Sequence, residues 1–208
     1  QAQSLLAIWL LDRSSIMTIT LNGSTGIETP TINGTAEHVT SVTSMKNRII
    51  NGAMVVSQRN ASVTSSGFTV DRFAYNAVQT GKATVAQSTT APIGFIKSIG
   101  VTSSSAYTVL TGDYFVLQQP IEGLNMADLA WGTASASTVT LSFRVYSSLT
   151  GTFGGSLLNG SANRSYPFSY SISVANTWTT ISITIAGDTT GTWATDNNVG
   201  VYVFFGLG

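Results

Sequence analysis

The side chains that could carry chemistry in this chain are few. Its 208 residues hold nine Asp and Glu, nine Lys and Arg, one His and no Cys. Glycoside hydrolysis needs two carboxylates at a defined separation across the scissile bond. Asp71, Asp113 and Glu122 fall in or beside strand-like segments, where an arginine partner is expected, whereas Asp188 and Asp196 fall in a loop of Gly, Thr and Asn. Two loop acids can line a cleft or offer oxygens to calcium, yet Asp in such a loop ordinarily bonds its own backbone as a turn former. The lack of cysteine removes disulfides, thiolate catalysis and thiolate zinc sites together. A Ser-His-Asp triad or a histidine metal site would have to be built on His38, which reads as a solvated loop side chain. Gly151-Thr152-Phe153-Gly154-Gly155 lacks the lysine and following helix of a phosphate loop. No catalytic residue, metal or cofactor is assigned, and the chain is expected not to be an enzyme.

Sugar binding by stacking asks for less: an exposed flat ring to cover the C–H face of a sugar, with amides or carboxylates for its hydroxyls. Two stretches have that mix. Trp193 is followed by Asp196, Asn197 and Asn198, and Tyr166 stands beside Asn163 and Arg164. The competing role for Trp131, Trp178 and Trp193 is as core or subunit-interface rings. Among the basic residues, Arg48, Arg59 and Arg72 cluster in the stretch from Asn47 to Phe73. Arg72 is expected to form a buried, bidentate structural ion pair with Asp113 or Glu122.

Only 9% of the residues are charged and the net charge is zero, against roughly a quarter charged in an average soluble domain. No long-range positive field exists to attract a phosphate backbone, so nucleic acid is not an expected partner. Ser and Thr fill 57 of the 208 positions; Thr alongside Val and Ile suits a pleated, half-buried backbone. The fold class is therefore mostly β. The longest apolar run, Leu5 to Leu11, is seven residues, short of the roughly 20 that a spanning helix requires, so membrane insertion is not expected.

A composition shift near residue 46 divides the chain. Residues 1–16 precede a natural-looking start, Met17-Thr18-Ile19-Thr20-Leu21-Asn22-Gly23, and read as an upstream extension whose Leu5, Leu6, Trp9 and Leu10 need a covering surface. Residues 17–46 form an N-terminal arm of short strand fragments punctuated by turn dipeptides; it reads either as a disordered linker or as a segment ordered by its copies. Residues 47–208 form the body. Asn47 to Val56 is a strand-like run around Asn51-Gly52, and Phe68 to Val78 is a strand with Phe73, Tyr75 and Ala77 on one face. Strands follow at Lys82 to Ser88, Phe95 to Val101, Asp113 to Gln119, Thr138 to Tyr146, Tyr166 to Val174 and Trp178 to Ala186. Helix is suggested only at Asn125 to Trp131, with Asn125 as cap. Val199 to Phe205 is apolar on both faces, which marks a central or covered strand. Its position three residues before Gly208 leads to the expectation that the chain continues.

The run Met45-Lys46-Asn47-Arg48-Ile49-Ile50-Asn51-Gly52-Ala53-Met54-Val55-Val56-Ser57-Gln58-Arg59, with Val70-Asp71-Arg72-Phe73 and Gln119-Pro120-Ile121-Glu122-Gly123, resembles the start of the jelly-roll domains of phage tail-fibre and related virion-surface proteins. Ala127-Asp128-Leu129-Ala130-Trp131-Gly132, Asn163-Arg164-Ser165-Tyr166-Pro167-Phe168 and Gly187-Asp188-Thr189-Thr190-Gly191-Thr192-Trp193 are similar to the same group. The resemblance implies a jelly-roll β-sandwich of carbohydrate-binding type, preceded by an extended arm. It implies a virion location, a homotrimer, and an arm that docks to other virion proteins; it brings no agreed catalytic residue and no fixed sugar site. The expected function is a trimeric fibre or tail appendage contacting host-surface glycan. The alternatives are a capsid decoration or head-fibre protein with no receptor role, and a carbohydrate-binding module of a secreted enzyme.

Overall fold

The computed structural model describes residues 3–9, by their backbone, and residues 46–207. The chain divides into two units, residues 1–10 with 48–208 and residues 11–47. The arm expected over residues 17–46, and His38 within it, lie outside the described residues apart from Lys46.

The body is a β-sandwich of two six-stranded sheets in which every pairing is antiparallel. Its strands are β1 (Gln3–Trp9), β2 (Ser62–Val63), β3 (Gly67–Phe68), β4 (Ala74–Ala77), β5 (Ala83–Ser88), β6 (Ser98–Ser103), β7 (Phe115–Glu122), β8 (Val139–Ser147), β9 (Gly151–Asn159), β10 (Ser165–Ile172), β11 (Thr179–Ile185) and β12 (Val199–Gly206). One sheet runs β11-β8-β1-β6-β5-β2 and the other β10-β9-β12-β7-β4-β3. The chain crosses repeatedly between them, in the jelly-roll β-sandwich that the resemblance implied.

Alternation builds the core. In β8, Leu141, Phe143 and Val145 are buried between the sheets while their neighbours face outward. Phe143 is the hub: its ring meets Tyr170 edge-on at 5.0 Å and Phe205 at 5.1 Å, with Phe168 tilted at 6.4 Å. These rings come from the opposite sheet, so one side chain ties both layers, and edge-to-face pairs add about 0.5–1.5 kcal/mol each beyond their buried area. β12, apolar on both faces, is central: it pairs with β7 on one side and β9 on the other. Both of its neighbours lie within the described residues.

Several expectations change. Residues 3–9, read as part of an upstream extension, form β1 within a sheet of the body. The Asn47 to Val56 run is not a strand. Asn51 and Met54 take left-handed backbone angles, Arg48, Ile49 and Met54 are buried, and Ile50, Val55 and Val56 are exposed. This segment is held by the buried amide of Gln119, which accepts from the Ile50 N–H at 2.9 Å and donates to the Ile50 carbonyl at 2.8 Å. The strand expected from Phe68 is interrupted by a turn at Val70–Phe73, where Arg72 has φ of 75°. The helix expected at Asn125 is two single-turn 3-10 helices, Gly123–Asn125 and Ala127–Leu129, neither with a side-chain cap. β9, hidden by its glycines, lies between β10 and β12. A Cβ on Gly155 would stand 2.3 Å from the Phe204 carbonyl oxygen and 2.5 Å from the Phe168 ring, so the aromatic core occupies the space that glycine leaves.

Candidate functional site

The residues singled out for sugar binding come partly together at one end of the sandwich, where β9 turns into β10 and β11 ends. The turn is built on Asn159, which is 1% exposed. Its side-chain oxygen accepts from the N–H groups of Asn163 and Arg164, both at 3.0 Å. Its amide nitrogen donates to Asn163 Oδ1 at 2.8 Å and to the Thr192 carbonyl at 2.9 Å. With donors and acceptor all engaged, Asn159 sets the backbone of Arg164 and ties this turn to the loop that follows β11.

Arg164 then reaches Asp188 in a two-pronged pair, Nε to Oδ2 at 2.7 Å and Nη2 to Oδ1 at 2.6 Å. Trp193 Nε1 donates to the same Oδ2 at 3.1 Å, and the Thr190 N–H donates to Oδ1 at 3.1 Å. The Arg164 guanidinium, followed by these N–H donors, holds the Asp188 carboxyl well below the usual carboxylate range. Behind the pair, Trp193 meets Trp131 edge-on at 4.7 Å, and Trp131 donates to the Ser137 carbonyl at 2.8 Å. Gly187 permits that approach, since a Cβ there would lie 2.6 Å from the Ser137 oxygen and 2.8 Å from Trp131 Nε1.

The result is a cleft of about 550 Å³ lined by Trp131, Asn163, Arg164, Tyr166, Asp188 and Trp193 among others. Tyr166 is 41% exposed and Trp193 half-buried, so the cleft offers aromatic surface beside a fixed pair of opposite charges. Among the described residues its one acid is Asp188, whose depressed pKa opposes proton donation; a general acid needs the reverse shift. This cleft can hold a ligand by ring contact and hydrogen bonds, and it lacks the paired carboxylates of hydrolysis.

Asp196, Asn197 and Asn198 do not join it. Asp196 accepts from the Asn198 N–H at 2.9 Å and from its side-chain amide at 2.8 Å. The Asp196 and Asn198 carbonyls receive the N–H groups of Leu124 and Gly123. These residues fasten the loop to the 3-10 turn, as turn formers do, and Asn197 is exposed outside the cleft lining. Asp188 and Asp196 have separate partners and make no calcium cradle; among the described residues no group of three His, Cys, Asp or Glu side chains is placed to hold a metal.

Arg72 pairs with Glu122 at 2.5 Å and not with Asp113. The pair is a single contact between side chains 37% and 36% exposed, instead of the buried bidentate one expected. Asp113 serves a loop, accepting from the Tyr107 hydroxyl at 2.6 Å and the Leu110 N–H at 2.8 Å. A second bidentate pair, after Arg164–Asp188, belongs to Arg48, 9% exposed, which meets both Asp128 oxygens at 2.8 Å and also the Asn125 carbonyl. The signal for it was the charge of Arg48 in an otherwise apolar run; nothing in the sequence named its partner. All three of these ion pairs gather at the end of the body where β7 finishes and β12 begins. No family model matches the chain, and neither does any curated protein or solved structure.

Proposed function

We propose that this chain is a non-enzymatic structural protein of a phage virion, a homotrimeric fibre or tail appendage that contacts host-surface glycan. The arm over residues 17–46 would join it to other virion proteins, and the sandwich would face outward. The observation that supports the glycan contact is the cleft in which exposed Tyr166 lies near Trp193 with Asn163, Arg164 and Asp188 alongside. The charge-poor, hydroxyl-rich body suits an exposed appendage, and weak contacts repeated on a trimer sum to useful avidity.

A glycan array probed with the full chain, alongside its sedimentation behaviour, tests this reading. The expected result is a trimer with a glycan signal that Tyr166→Ala weakens about tenfold, the equivalent of one lost stacking contact near 1.4 kcal/mol. Tyr166→Phe, which retains the ring, should bind nearly as the parent does. A trimer that binds no glycan overturns the receptor role. A monomer with measurable sugar affinity shifts the assignment to a carbohydrate-binding module, and binding indifferent to Tyr166→Ala removes this cleft from it.

A further inference from the structure

Residues 3–9 fill a slot that the rest of the body leaves open. β6 and β8 are neighbours of β1 and not of each other. Gln3 to Leu6 pair with Thr102 to Ile99 on one side, and Ser4 to Trp9 pair with Ser147 to Ser142 on the other. Without β1 the six-stranded sheet separates into β6-β5-β2 and the lone pair β11-β8. A two-stranded piece is marginal by itself, and the backbone groups of β6 and β8 that face the slot would lose their partners.

The strand that closes this gap is remote in the chain. Residues 10–47 separate it from the start of the continuous body at Arg48, and residues 11–47 belong to the other unit. A ladder of main-chain hydrogen bonds is indifferent to which copy donates the strand, because the donor and acceptor residues are the same in either case. In the proposed homotrimer a second copy stands alongside and presents its own residues 3–9 to the slot.

We propose that the slot between β6 and β8 is a strand-acceptor site, and that residues 3–9 of one copy of this chain occupy the slot of a second copy. In a homotrimer the donation runs round the ring, so each body is complete only with a neighbouring copy's strand. This assembly rests on that trimer and on the sheet, and holds whether or not the cleft binds glycan.

The full chain has no cysteine, so introduced thiols report on this pairing alone. Ala7 lies opposite Arg144 in β8, and Gln3 lies opposite Thr102 in β6. Directly opposed antiparallel residues have Cα separations of about 4.5–5.5 Å, inside the range a disulfide spans. Two differently tagged full-length chains, one carrying Ala7→Cys and the other Arg144→Cys, are refolded together and oxidised. Strand exchange predicts a disulfide joining the two tags, well above an off-register control of Ala7→Cys with Thr140→Cys. The same cross-tag product is expected from Gln3→Cys with Thr102→Cys, which serves if loss of Arg144 impairs folding. The proposal is overturned if doubly substituted chains close only on themselves while the mixtures give no cross-tag product. It is equally overturned if neither arrangement closes, because residues 3–9 then do not occupy the slot.

Discussion

Gly154 and Gly155 are adjacent in β9, yet the structure assigns them opposite tolerances. Gly155 stands opposite Phe168 in β10 and Phe205 in β12, so ladders fix it on both sides. An added methyl would lie 2.3 Å from the Phe204 carbonyl oxygen and 2.5 Å from the Phe168 ring. Relief requires a carbonyl of the central strand to retreat by more than half an ångström and the Phe168 ring to shift as well, disturbing its contact with Phe205, where the centroids are 6.1 Å apart. Overpacking typically costs about 1–3 kcal/mol, and a backbone obstacle puts Gly155→Ala near the upper figure, about 3 kcal/mol. At Gly154 the nearest atom is the Phe168 carbonyl oxygen at 3.5 Å, an ordinary contact. Its backbone has no positive φ, so Gly154→Ala should be neutral or gain about 0.4–1 kcal/mol by restricting the unfolded chain. Urea unfolding followed by Trp fluorescence reads both. With a slope of about 2 kcal/mol per molar, Gly155→Ala should lower the midpoint by about 1.5 M while Gly154→Ala leaves it in place or raises it. Equal shifts in the two variants would refute the placement of β9 between β10 and β12.

Other perturbations probe the site end. Asp128→Ala strips Arg48 of both carboxylate contacts but leaves the Asn125 carbonyl. The cost should be about 2 kcal/mol by denaturant unfolding, below the roughly 3–5 kcal/mol of a fully buried pair because Asp128 is half exposed; an unchanged midpoint would show that Arg48 is hydrated. In acid, four carboxylates act together. Asp113 is held below its ordinary value by the Tyr107 hydroxyl, Glu122 by Arg72, Asp188 by Arg164 and Asp196 by the Asn198 N–H. The folded state therefore binds these protons less readily than the unfolded chain. Its stability is complete above the ordinary carboxylate range and falls as the pH drops below about 4 through the depressed values. Thermal midpoints across pH should show that fall, with Asp188→Asn making it shallower; a midpoint that rises on acidification contradicts it. At the alkaline end, burial pushes the Tyr170 hydroxyl from 10.0 up to about 12. That contribution is intact below about pH 10 and is lost as the pH climbs toward 12, which Tyr170→Phe should abolish.

The parts of the fold that were readable from sequence are those where one segment carries its own evidence. β8 announces its buried face through strict alternation, and β12 its central place through two apolar faces. β9 could not be seen that way, because Gly151, Gly154 and Gly155 remove the side chains that would alternate, and the reason for Gly155 lies in rings more than ten residues away. The break at Arg72 depends on a left-handed turn that no glycine marks. In the site, Tyr166, Asn163 and Arg164 were grouped by proximity in sequence and Trp193 by its loop, and the cleft unites them. Asp196 to Asn198 were grouped with Trp193 on the same ground, but their carboxylate and amides are consumed locally. Asp188 was undervalued because a turn former and an arginine partner look alike in a Gly/Thr loop. Asn159, which organises the whole corner, carried no signal beyond standing before Gly160.

With so few charges in the chain, the three ion pairs Arg48–Asp128, Arg72–Glu122 and Arg164–Asp188 share one end of the body. Ionic strength, which screens partly exposed pairs, therefore acts chiefly at that end, beside the cleft, while the rings packed around Phe143 carry no ion pair to be screened. A change of salinity is therefore felt beside the cleft before it is felt among the buried rings.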